Sequence, residues 1–318
     1  MSTRSESWSR PADPPSAWLA ALAAVVVLVG SWVTLHYGFY AENDIVDTPV
    51  YEGYGDRIAA GDVPYRDFEL EYPPGALPVF AAPALVDAEL GVAHDFRSRF
   101  ELLMLACAAA MLGLMALVLR TVGATPARLA AGLAFAAVAP LALGSVVLTR
   151  FDFWPAALTV AALAALVAGR ERLGLGVLGL GVAAKIYPGA LVPLALAYAW
   201  KRHGRREALV CLGVFAAVLA ACVVPFVVLS PDGVWASAVR QMTRPLQIES
   251  LGSGFLLALH HLAGLELTME STYGSQNLTG ARPELIGVVQ SALQVGALLA
   301  VWAWFARGPA TRERLVQA

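Results

Sequence analysis

The sequence predicts an all-α polytopic membrane protein, a helical bundle with a long structured loop after the first membrane span. Of its 318 residues, 58% are hydrophobic and only 14% are charged, whereas an ordinary globular domain has about 45–50% apolar and about 25% charged residues. The charges are clustered, and long stretches without Asp, Glu, Lys or Arg separate the clusters. A net charge of −2, without a basic stripe that carries interleaved aromatic residues, excludes a basic nucleic-acid-binding protein.

Six uncharged stretches are candidates for full membrane spans. They comprise residues 14–41, 102–119, 129–149, 153–169, 208–231 and 285–306. Most of them reach the roughly 18 to 20 apolar residues that a helix needs to cross a bilayer. The first stretch follows Arg4 and Arg10, as in a signal peptide, but it exceeds the apolar run of about 7–15 residues found in a cleaved signal. We therefore predict an uncleaved first span and about six spans in total, with a margin of about one.

The distribution of basic residues predicts a multi-pass protein with a cytoplasmic N-terminus. In that orientation 13 of the 22 basic residues face the cytoplasm, eight face outward, and Lys185 lies within an apolar stretch, in line with the positive-inside rule. Residues 1–13 and 307–318 are then cytoplasmic tails. By contrast, 19 of the 24 acidic residues face outward, and 12 of these lie in the first outer loop, residues 41–97. Because acidic residues contribute little to topology, their enrichment indicates a functional loop.

The first outer loop is predicted to contain a short amphipathic helix on the membrane surface. Thr48-Pro49 has the pattern of an N-cap followed by proline at the first helical position. Apolar residues then recur at helical spacing, and Gly61 supplies a stop. The apolar residues are Val50, Tyr54 and Ile58.

Asp47 precedes this helix and is the first candidate for a catalytic general base, with Asp44 as the alternative. The positive end of the helix dipole favours the ionised carboxylate, which is the form that a general base requires. Both residues could instead only cap or solvate the start of the helix, and spacing alone favours that structural role.

A charged and aromatic cluster, residues 65–72, forms the second half of the loop and precedes two consecutive prolines. Arg66 could form an ion pair with Asp67 or Glu71 that holds the loop together. The prolines enforce an extended turn that leads the chain back to the bilayer. Structural roles are favoured here, although Glu71 and Tyr72 could also line an acceptor site.

Lys185 lies within the apolar stretch 173–200, which must enter and leave on the same side because basic clusters flank both of its ends. Lys185 divides the stretch into pieces of 12 and 15 uncharged residues, each too short to span a bilayer. The pattern predicts a re-entrant hairpin with Lys185 at its tip, covered by protein or a watery cavity. No acid lies within 13 residues on either side. The anion that pairs with this ammonium group is therefore either a lipid phosphate or a distant Asp or Glu.

Two further pairs of charges flank apolar segments. Arg150 and Asp152 lie at a span boundary, where a local ion pair or snorkelling would account for them. Arg240 and Arg244 belong to a second outer loop, residues 230–284. Two arginines four positions apart could clamp a phosphate, or they could contact lipid headgroups.

The second outer loop is also predicted to contain a short re-entrant or interfacial helix at residues 250–265. His260 on this helix is a candidate for polar packing or for an acid–base or sugar-binding role. No HExxH or comparable metal spacing occurs, and the sequence has no Walker loop, GxGxxG or GxSxG motif. The three cysteines lie within apolar runs without ligand spacing, so packing roles are expected.

Four segments resemble successive blocks of one known family. They are DTPVYEGYGDRIAAGDVPYRDFELEYPPGALPVF, RFDFWPAALTVAALA, GLGVAAKIYPGALVPLALA and RPLQIESLGSGFLLAL. These blocks are similar to those of the actinobacterial polyprenol-phosphate-mannose-dependent α-mannosyltransferases, that is, glycosyltransferase family 87 with the membrane-embedded GT-C fold. Each block alone is a weak signal, whereas all four in the family's order, over residues 44–260, are a strong one.

The resemblance implies a plasma-membrane hexosyltransferase of the cell envelope, with mannose as the expected sugar and an active site that faces outward. Its partners would be a polyprenyl-phosphate sugar as donor, a lipid or glycan acceptor and membrane lipids, but no nucleic acid. Asp47 would act as general base in an inverting single displacement. The expected donor-phosphate ligands are Lys185, Arg244, Arg240 and Arg150. The expected sugar or acceptor ligands are Tyr51, Glu71, Tyr72, Tyr187, Gln247, Glu249 and His260.

No cofactor or metal is expected, because protein cations would neutralise the phosphate; a divalent ion is compatible with the sequence but nothing in it indicates one. Two other functions stay open. A transporter or lipid flippase also combines interrupted helices with a buried lysine, although corresponding halves of the sequence contain no paired broken segments. The protein could also be a truncated non-catalytic relative, because members of the family usually continue past the position of Arg307 with further spans.

Overall fold

The computed structural model describes residues 13–42, 46–90, 95–272 and 275–318. Within these ranges the chain forms 15 α-helices and a small three-stranded sheet. Several of the helices are long and apolar. This architecture confirms the prediction of an all-α polytopic membrane protein. The predicted N-terminal tail lies outside the described residues up to position 12.

The helices range from single turns to elements long enough to cross a bilayer. They are α1 (Pro14–Thr34), α2 (Phe39–Glu42), α3 (Thr48–Ala59), α4 (Leu77–Leu90), α5 (Phe96–Thr121), α6 (Pro126–Leu143), α7 (Val146–Thr149), α8 (Phe153–Val167), α9 (Glu171–Ala184), α10 (Val192–His203), α11 (Arg205–Leu229), α12 (Pro231–Met242), α13 (Leu251–Ala263), α14 (Ala281–Arg307) and α15 (Arg312–Gln317). The strands are β1 (Leu246–Gln247), β2 (Thr268–Thr272) and β3 (Ser275–Thr279). Two 3-10 turns, Pro74–Ala76 and Tyr187–Leu191, precede α4 and α10.

Five helices are long and apolar enough to cross a membrane, namely α1, α5, α6, α11 and α14. They correspond to five of the six uncharged stretches. The sixth stretch, residues 153–169, forms α8, whose 15 residues measure roughly 22 Å at about 1.5 Å per residue. This shorter helix packs between α5 and α9. The described part of the chain therefore has five candidate spans and a shorter apolar helix that packs against one of them, α5.

Glycines allow α9 to pack closely on both of its neighbours, α8 and α11. A Cβ atom at Gly179 would lie 2.7 Å from the carbonyl oxygen of Phe215 in α11, and one at Gly174 would lie 2.7 Å from Cγ of Leu166 in α8. Small residues at helix contacts are the usual means by which helices approach each other in membranes. The close packing holds the C-terminal end of α9, and therefore Lys185, in a defined position.

The helices α9 and α10 run side by side as a hairpin. Glu171, at the start of α9, accepts a hydrogen bond from His203 at the end of α10 (3.0 Å), and Arg202 lies 3.6 Å from the same oxygen. Lys185 lies at the opposite end of the hairpin, immediately after α9. The break between the two helices therefore lies at Lys185, where the sequence indicated it. That this hairpin enters the membrane from one side stays a prediction.

The helix of the first outer loop, α3, buries a face that differs in part from the predicted one. Thr48, Tyr51 and Gly55 are its buried residues, whereas Val50, predicted on the apolar face, is 49% exposed. The difference arises because α3 packs against α4, so that a Cβ atom at Gly55 would lie 2.5 Å from the carbonyl oxygen of Phe80. The helix ends at Ala59, close to the predicted stop.

The second outer loop contains a feature that the sequence did not indicate, the antiparallel sheet with strand order β1-β3-β2. Leu246 pairs with Leu278 across the sheet, and both pack with Leu256 of α13 in a small buried cluster. The strands of the hairpin, TMEST and SQNLT, lack the alternation of apolar and polar residues that identifies a half-buried strand. The predicted helix at residues 250–265 corresponds to α13.

The predicted C-terminal tail, residues 307–318, folds back onto the bundle. The side chain of Thr311 accepts a hydrogen bond from the backbone NH of Arg314 and caps α15. Leu315 of this helix is buried in the core formed with α8 and α10. The cytoplasmic position of this segment stays a prediction.

Candidate active site

A cavity of about 1190 Å³ lies between the first outer loop, the start of α8, the turn between α9 and α10, and the second outer loop. It brings together ten of the residues that the sequence analysis selected. These are Asp47, Tyr51, Glu71, Tyr72, Arg150, Lys185, Tyr187, Arg244, Gln247 and Glu249. Asp44, the alternative base, lies outside the described residues.

Asp47 is the N-cap residue of α3, one position before the predicted Thr48, but its side chain makes no capping hydrogen bond. Its Oδ2 atom instead accepts a hydrogen bond of 2.9 Å from Nε of Arg150, and about a third of the side chain (33%) is exposed. The carboxylate therefore lines the cavity next to a guanidinium group. The spacing alone favoured a capping role for this side chain, but the side chain does not cap the helix.

Arg150 connects the two outer loops. Its Nη1 and Nη2 atoms each donate a hydrogen bond of 2.6 Å to Glu249, while Nε donates to Asp47. A bidentate guanidinium–carboxylate contact is a strong, geometrically specific interaction. The predicted local ion pair with Asp152 does not form in the described structure, because Arg150 is held by acids from both loops.

Lys185 pairs with Asp152. Its Nζ atom lies 2.5 Å from Oδ1 of Asp152 and 5.1 Å from the centre of the Phe151 ring. Of the two anions considered for this lysine, the distant acid is therefore the one that contacts it. A lysine ammonium group has three N–H donors, and about a third of the side chain (35%) is exposed. Asp152 also lines the cavity, whereas the sequence suggested for it only a local ion pair with Arg150.

Arg244 pairs with Glu71 across the cavity, with 3.3 Å between Nη2 and Oε2. The Glu71 backbone carbonyl also accepts a hydrogen bond of 2.9 Å from the side chain of Gln241. Glu71 is half-buried, and burial raises the pKa of its carboxyl group even though the neighbouring arginines oppose that shift. Of the two partners considered for Arg66, Asp67 is the one that it contacts (2.8 Å). Glu71 instead links the first outer loop to Arg244 of the second.

Arg240 and His260 do not line the cavity. Arg240 pairs with Glu69 (2.5 Å), so the two arginines of the second loop contact different acids rather than one common group. His260 lies near the C-terminal end of α13, exposed, with its Nδ1 at 2.6 Å from the carbonyl oxygen of Leu265. The residue of this segment that does line the cavity is Ser250, the N-cap of α13. Ser250 precedes His260 by ten positions, which corresponds to about 15 Å along a helix.

Four aromatic residues pack together at the site, and three of them, Tyr51, Tyr72 and Phe151, line the cavity. Tyr51 stacks on Phe80 with 4.7 Å between ring centres, and Tyr72 packs edge-on against Phe151 at 4.8 Å. Tyr51 is almost fully buried (1% exposed), and burial raises the pKa of its hydroxyl group. Packing of this kind fixes the start of α3 and, with it, Asp47.

Sequence reasoning missed several uncharged polar residues of the cavity. These are Gln241, Ser250, Ser271, Ser275 and Gln276. Three of them belong to the β2–β3 hairpin, for which the sequence carried no recognisable signal. Nothing in the described ranges brings three or more His, Cys, Asp or Glu side chains together as a metal site.

Comparison with known proteins identifies one family. The sequence profile of glycosyltransferase family 87 matches residues 70–318, well over half of the chain. The match includes every cavity residue except Asp47 and Tyr51, which precede it. No curated protein and no solved structure shows significant similarity.

Proposed function

The chain belongs to glycosyltransferase family 87 and is a multi-pass membrane glycosyltransferase, and on that premise we propose its donor, acceptor and mechanism. The donor is a hexose, in the first instance mannose, on a polyprenyl phosphate. The acceptor is a lipid or glycan on the extracytoplasmic side of the plasma membrane. A GT-C fold and independence of metal ions belong to the same proposal. The observation that carries it is the cavity in which Asp47 contacts Arg150, and which Lys185 and Arg244 also line.

Asp47 is the proposed general base. Its carboxylate takes the proton of an acceptor hydroxyl, whose oxygen attacks the anomeric carbon of the donor sugar. The bond between that carbon and the phosphate oxygen breaks, its electron pair leaves with the polyprenyl phosphate, and the anomeric configuration inverts. The position of Asp47 supports this role, because the carboxylate is partly exposed to the cavity and is not used as a helix cap.

The departing phosphate gains negative charge, and preorganised positive groups stabilise such charge. Lys185, Arg150 and Arg244 line the cavity, and each is paired with a carboxylate. A phosphate that replaces or joins those carboxylates keeps each basic side chain paired with a negative group. A basic side chain without such a partner in a partly buried site would cost free energy. Lys185 suits this exchange because Asp152 accepts only one of its hydrogens.

Much of the cavity lining is apolar and suits the isoprenoid chain of the donor. Seven of the apolar lining residues come from helices and the turn after α9, namely Met111, Leu143, Val146, Val147, Phe153, Ala156 and Ile186. They come from α5, from the C-terminal end of α6 through α7 to α8, and from the turn after α9. A lipid phosphate bound at Lys185 would have such a surface next to its tail.

Replacing Asp47 tests the proposal. Membranes that contain the wild type or Asp47→Asn receive labelled polyprenyl-phosphate mannose, and label in lipid and glycan products is measured. General acid–base catalysis contributes about 10²- to 10⁴-fold, so we expect Asp47→Asn to reduce transfer by at least about 100-fold.

The matched control is Asp56→Asn. Asp56 lies on the same helix, is exposed and does not line the cavity. Its variant should transfer sugar within about two-fold of the wild type, because removing one distant exposed charge changes little. Equal labelling by wild type and Asp47→Asn, with both present at the same level in the membrane, contradicts the assignment of the base.

A further inference from the structure

Glu249 lies on a short connection between β1 and α13 whose backbone is held on both sides. The backbone NH of Ile248 donates a hydrogen bond of 2.9 Å to the carbonyl oxygen of Gln276 in β3. The backbone NH of Ser250 donates one of 2.9 Å to the carbonyl oxygen of Gln247 in β1, and the Ser250 side chain caps α13. The carboxylate of Glu249 therefore extends into the cavity from a fixed backbone.

Arg150 extends into the same cavity from the connection between α7 and α8. Its neighbours in the chain, Thr149 and Phe151, are buried, and their burial fixes the backbone at this position. The Nη1 and Nη2 atoms of Arg150 donate to the two oxygens of Glu249, and Nε donates to Oδ2 of Asp47. Because a guanidinium group is planar and rigid, the two bonds to Glu249 fix its plane and, with it, the direction of the Nε–H bond.

The contact with Glu249 determines how much of the Asp47 carboxylate Arg150 occupies. In the structure Arg150 donates to Asp47 through Nε alone, and the acceptor is Oδ2. An arginine that is free to turn frequently forms a bidentate contact, in which two of its nitrogen atoms donate to both oxygens of one carboxylate. Since Glu249 engages both Nη atoms, the Oδ1 atom of Asp47 is left without a contact to Arg150.

A general base needs an oxygen atom that can accept a proton. Hydrogen bonds from a guanidinium group stabilise the charged form of a carboxylate, so an oxygen that accepts them is a weaker proton acceptor. A bidentate contact would occupy both oxygens of Asp47 in this way. The single contact in the structure occupies one oxygen.

Resting on the proposed function, we propose that Glu249 is a positioning residue, which holds Arg150 on one oxygen of Asp47 and so leaves the other to take the proton of the acceptor hydroxyl. The proton moves to Oδ1 of Asp47, and the remaining bonds form and break as in the displacement described above. Glu249 then acts through Arg150, whereas direct contact with the sugar or acceptor was expected from the sequence. Both Glu249 oxygens accept hydrogen bonds of 2.6 Å from Arg150, which supports the positioning role.

The kinetics of variants distinguish positioning from contact with the acceptor. Labelled polyprenyl-phosphate mannose is the donor and octyl α-mannoside the acceptor. Glu249→Gln keeps the size of the side chain and removes its charge, and kcat should fall about 10- to 100-fold, because a small misplacement of a reacting group can cost about 100-fold. The KM values for both substrates should stay within about two-fold of the wild type, as expected when only the transition state is affected.

The dependence on Arg150 supplies the second kinetic criterion. In an Arg150→Gln background, Glu249→Gln should lower kcat by less than about two-fold, because residues that act through one contact are not additive. The matched control, Glu270→Gln, lies exposed on β2 outside the cavity and should change kcat by less than about two-fold. An increased KM for octyl α-mannoside in Glu249→Gln, or an equal loss of kcat in both backgrounds, overturns the proposal.

Infrared spectroscopy observes the contact without catalysis. The separation between the symmetric and antisymmetric stretching bands of a carboxylate depends on whether one or both of its oxygens are engaged. For the full chain in nanodiscs with ¹³C-labelled aspartate, the difference between a protein and its Asp47→Asn variant isolates the bands of Asp47. These bands should differ between the wild type and Glu249→Gln and stay unchanged in Glu270→Gln. Identical Asp47 bands in the wild type and Glu249→Gln overturn the proposal.

Two further measurements keep the result decisive. Thermal unfolding shows whether each variant is folded. If Glu249→Gln alone is unfolded because Arg150 has lost a partner, the double variant that lacks both partners avoids that penalty, and its kcat relative to Arg150→Gln gives the answer. If the wild type transfers no sugar, the proposed function fails, and the infrared bands still decide whether Glu249 controls the contact between Arg150 and Asp47.

Discussion

At the scale of single residues, the charged groups of the cavity are paired with partners far away in the sequence. Lys185 contacts Asp152, 33 positions earlier, and Arg150 contacts Asp47, 103 positions earlier. The chemical type of these groups was predictable, because a charge next to an apolar stretch is costly and indicates function. Their pairing was not predictable, because the Coulomb energy depends on the distance in space and not along the chain.

Replacing Lys185 should weaken use of the donor more than use of the acceptor. Lys185→Met removes a donor of charge-assisted hydrogen bonds, which contribute about 1.5–3 kcal/mol. The KM for polyprenyl-phosphate mannose should therefore rise by about 10- to 100-fold, with the KM for the acceptor within about two-fold. Initial rates over a matrix of donor and acceptor concentrations measure both constants.

The partner of Lys185 supplies a second test of the same contact. Lys185→Met leaves Asp152 as an unpaired negative group beside the bound phosphate, so the double variant Lys185→Met/Asp152→Asn should recover part of the lost affinity for the donor. A double variant with a higher donor KM than the single variant would contradict the exchange of Asp152 for phosphate.

At the scale of elements, α3 shows how far local patterns reach. The Thr-Pro start and the glycine stop predicted its limits, because capping and turn chemistry are local. The buried face was predicted only in part, since the surface of α4 determines which side of α3 is covered. The β2–β3 hairpin was not predicted, because its strands carry no apolar alternation and depend on β1 and α13 for their buried side.

The contact between α3 and α4 can be tested with two glycines of the same helix. Gly55→Ala places a Cβ atom 2.5 Å from a backbone carbonyl oxygen of α4, and overpacking of this kind costs about 1–3 kcal/mol. Gly53 has open space around it, so Gly53→Ala should stabilise the helix by about 0.5–1 kcal/mol.

Thermal unfolding of the purified variants in detergent measures both effects. The midpoint for Gly55→Ala should fall below that of the wild type, and the midpoint for Gly53→Ala should be equal or higher. A fall of the same size in both variants would show that α3 is sensitive to any added methyl group, and not to its contact with α4 in particular.

At the scale of the whole molecule, five helices are candidate spans, the shorter helix α8 packs against one of them, α5, and the cavity opens between the two loops that are predicted to lie outside the cell. The excess of basic residues on the other side of the bundle predicts that orientation.

Single cysteines test the orientation in intact cells. Asp56→Cys, at an exposed position of α3, should react with a membrane-impermeant maleimide added outside the cells. Arg206→Cys, exposed at the start of α11, should react only after the membrane is permeabilised, because the positive-inside rule predicts a cytoplasmic position for the basic cluster at residues 201–206. The wild type, with its three native cysteines in apolar helices, provides the background. Labelling of Arg206→Cys alone in intact cells would reverse the predicted topology.

The sequence by itself determined that this protein lies in a membrane, that it is helical, which loop holds the acids and which basic residues could meet a phosphate. These properties follow from composition and local periodicity, which a chain carries before it folds. Only the tertiary structure decided that Asp47, Arg150 and Glu249 form one contact, that His260 lies outside the cavity and that a hairpin without a sequence signal forms one of its walls. Such contacts join segments far apart in the chain, and their energies depend on packing and distances that exist only once the helices have assembled.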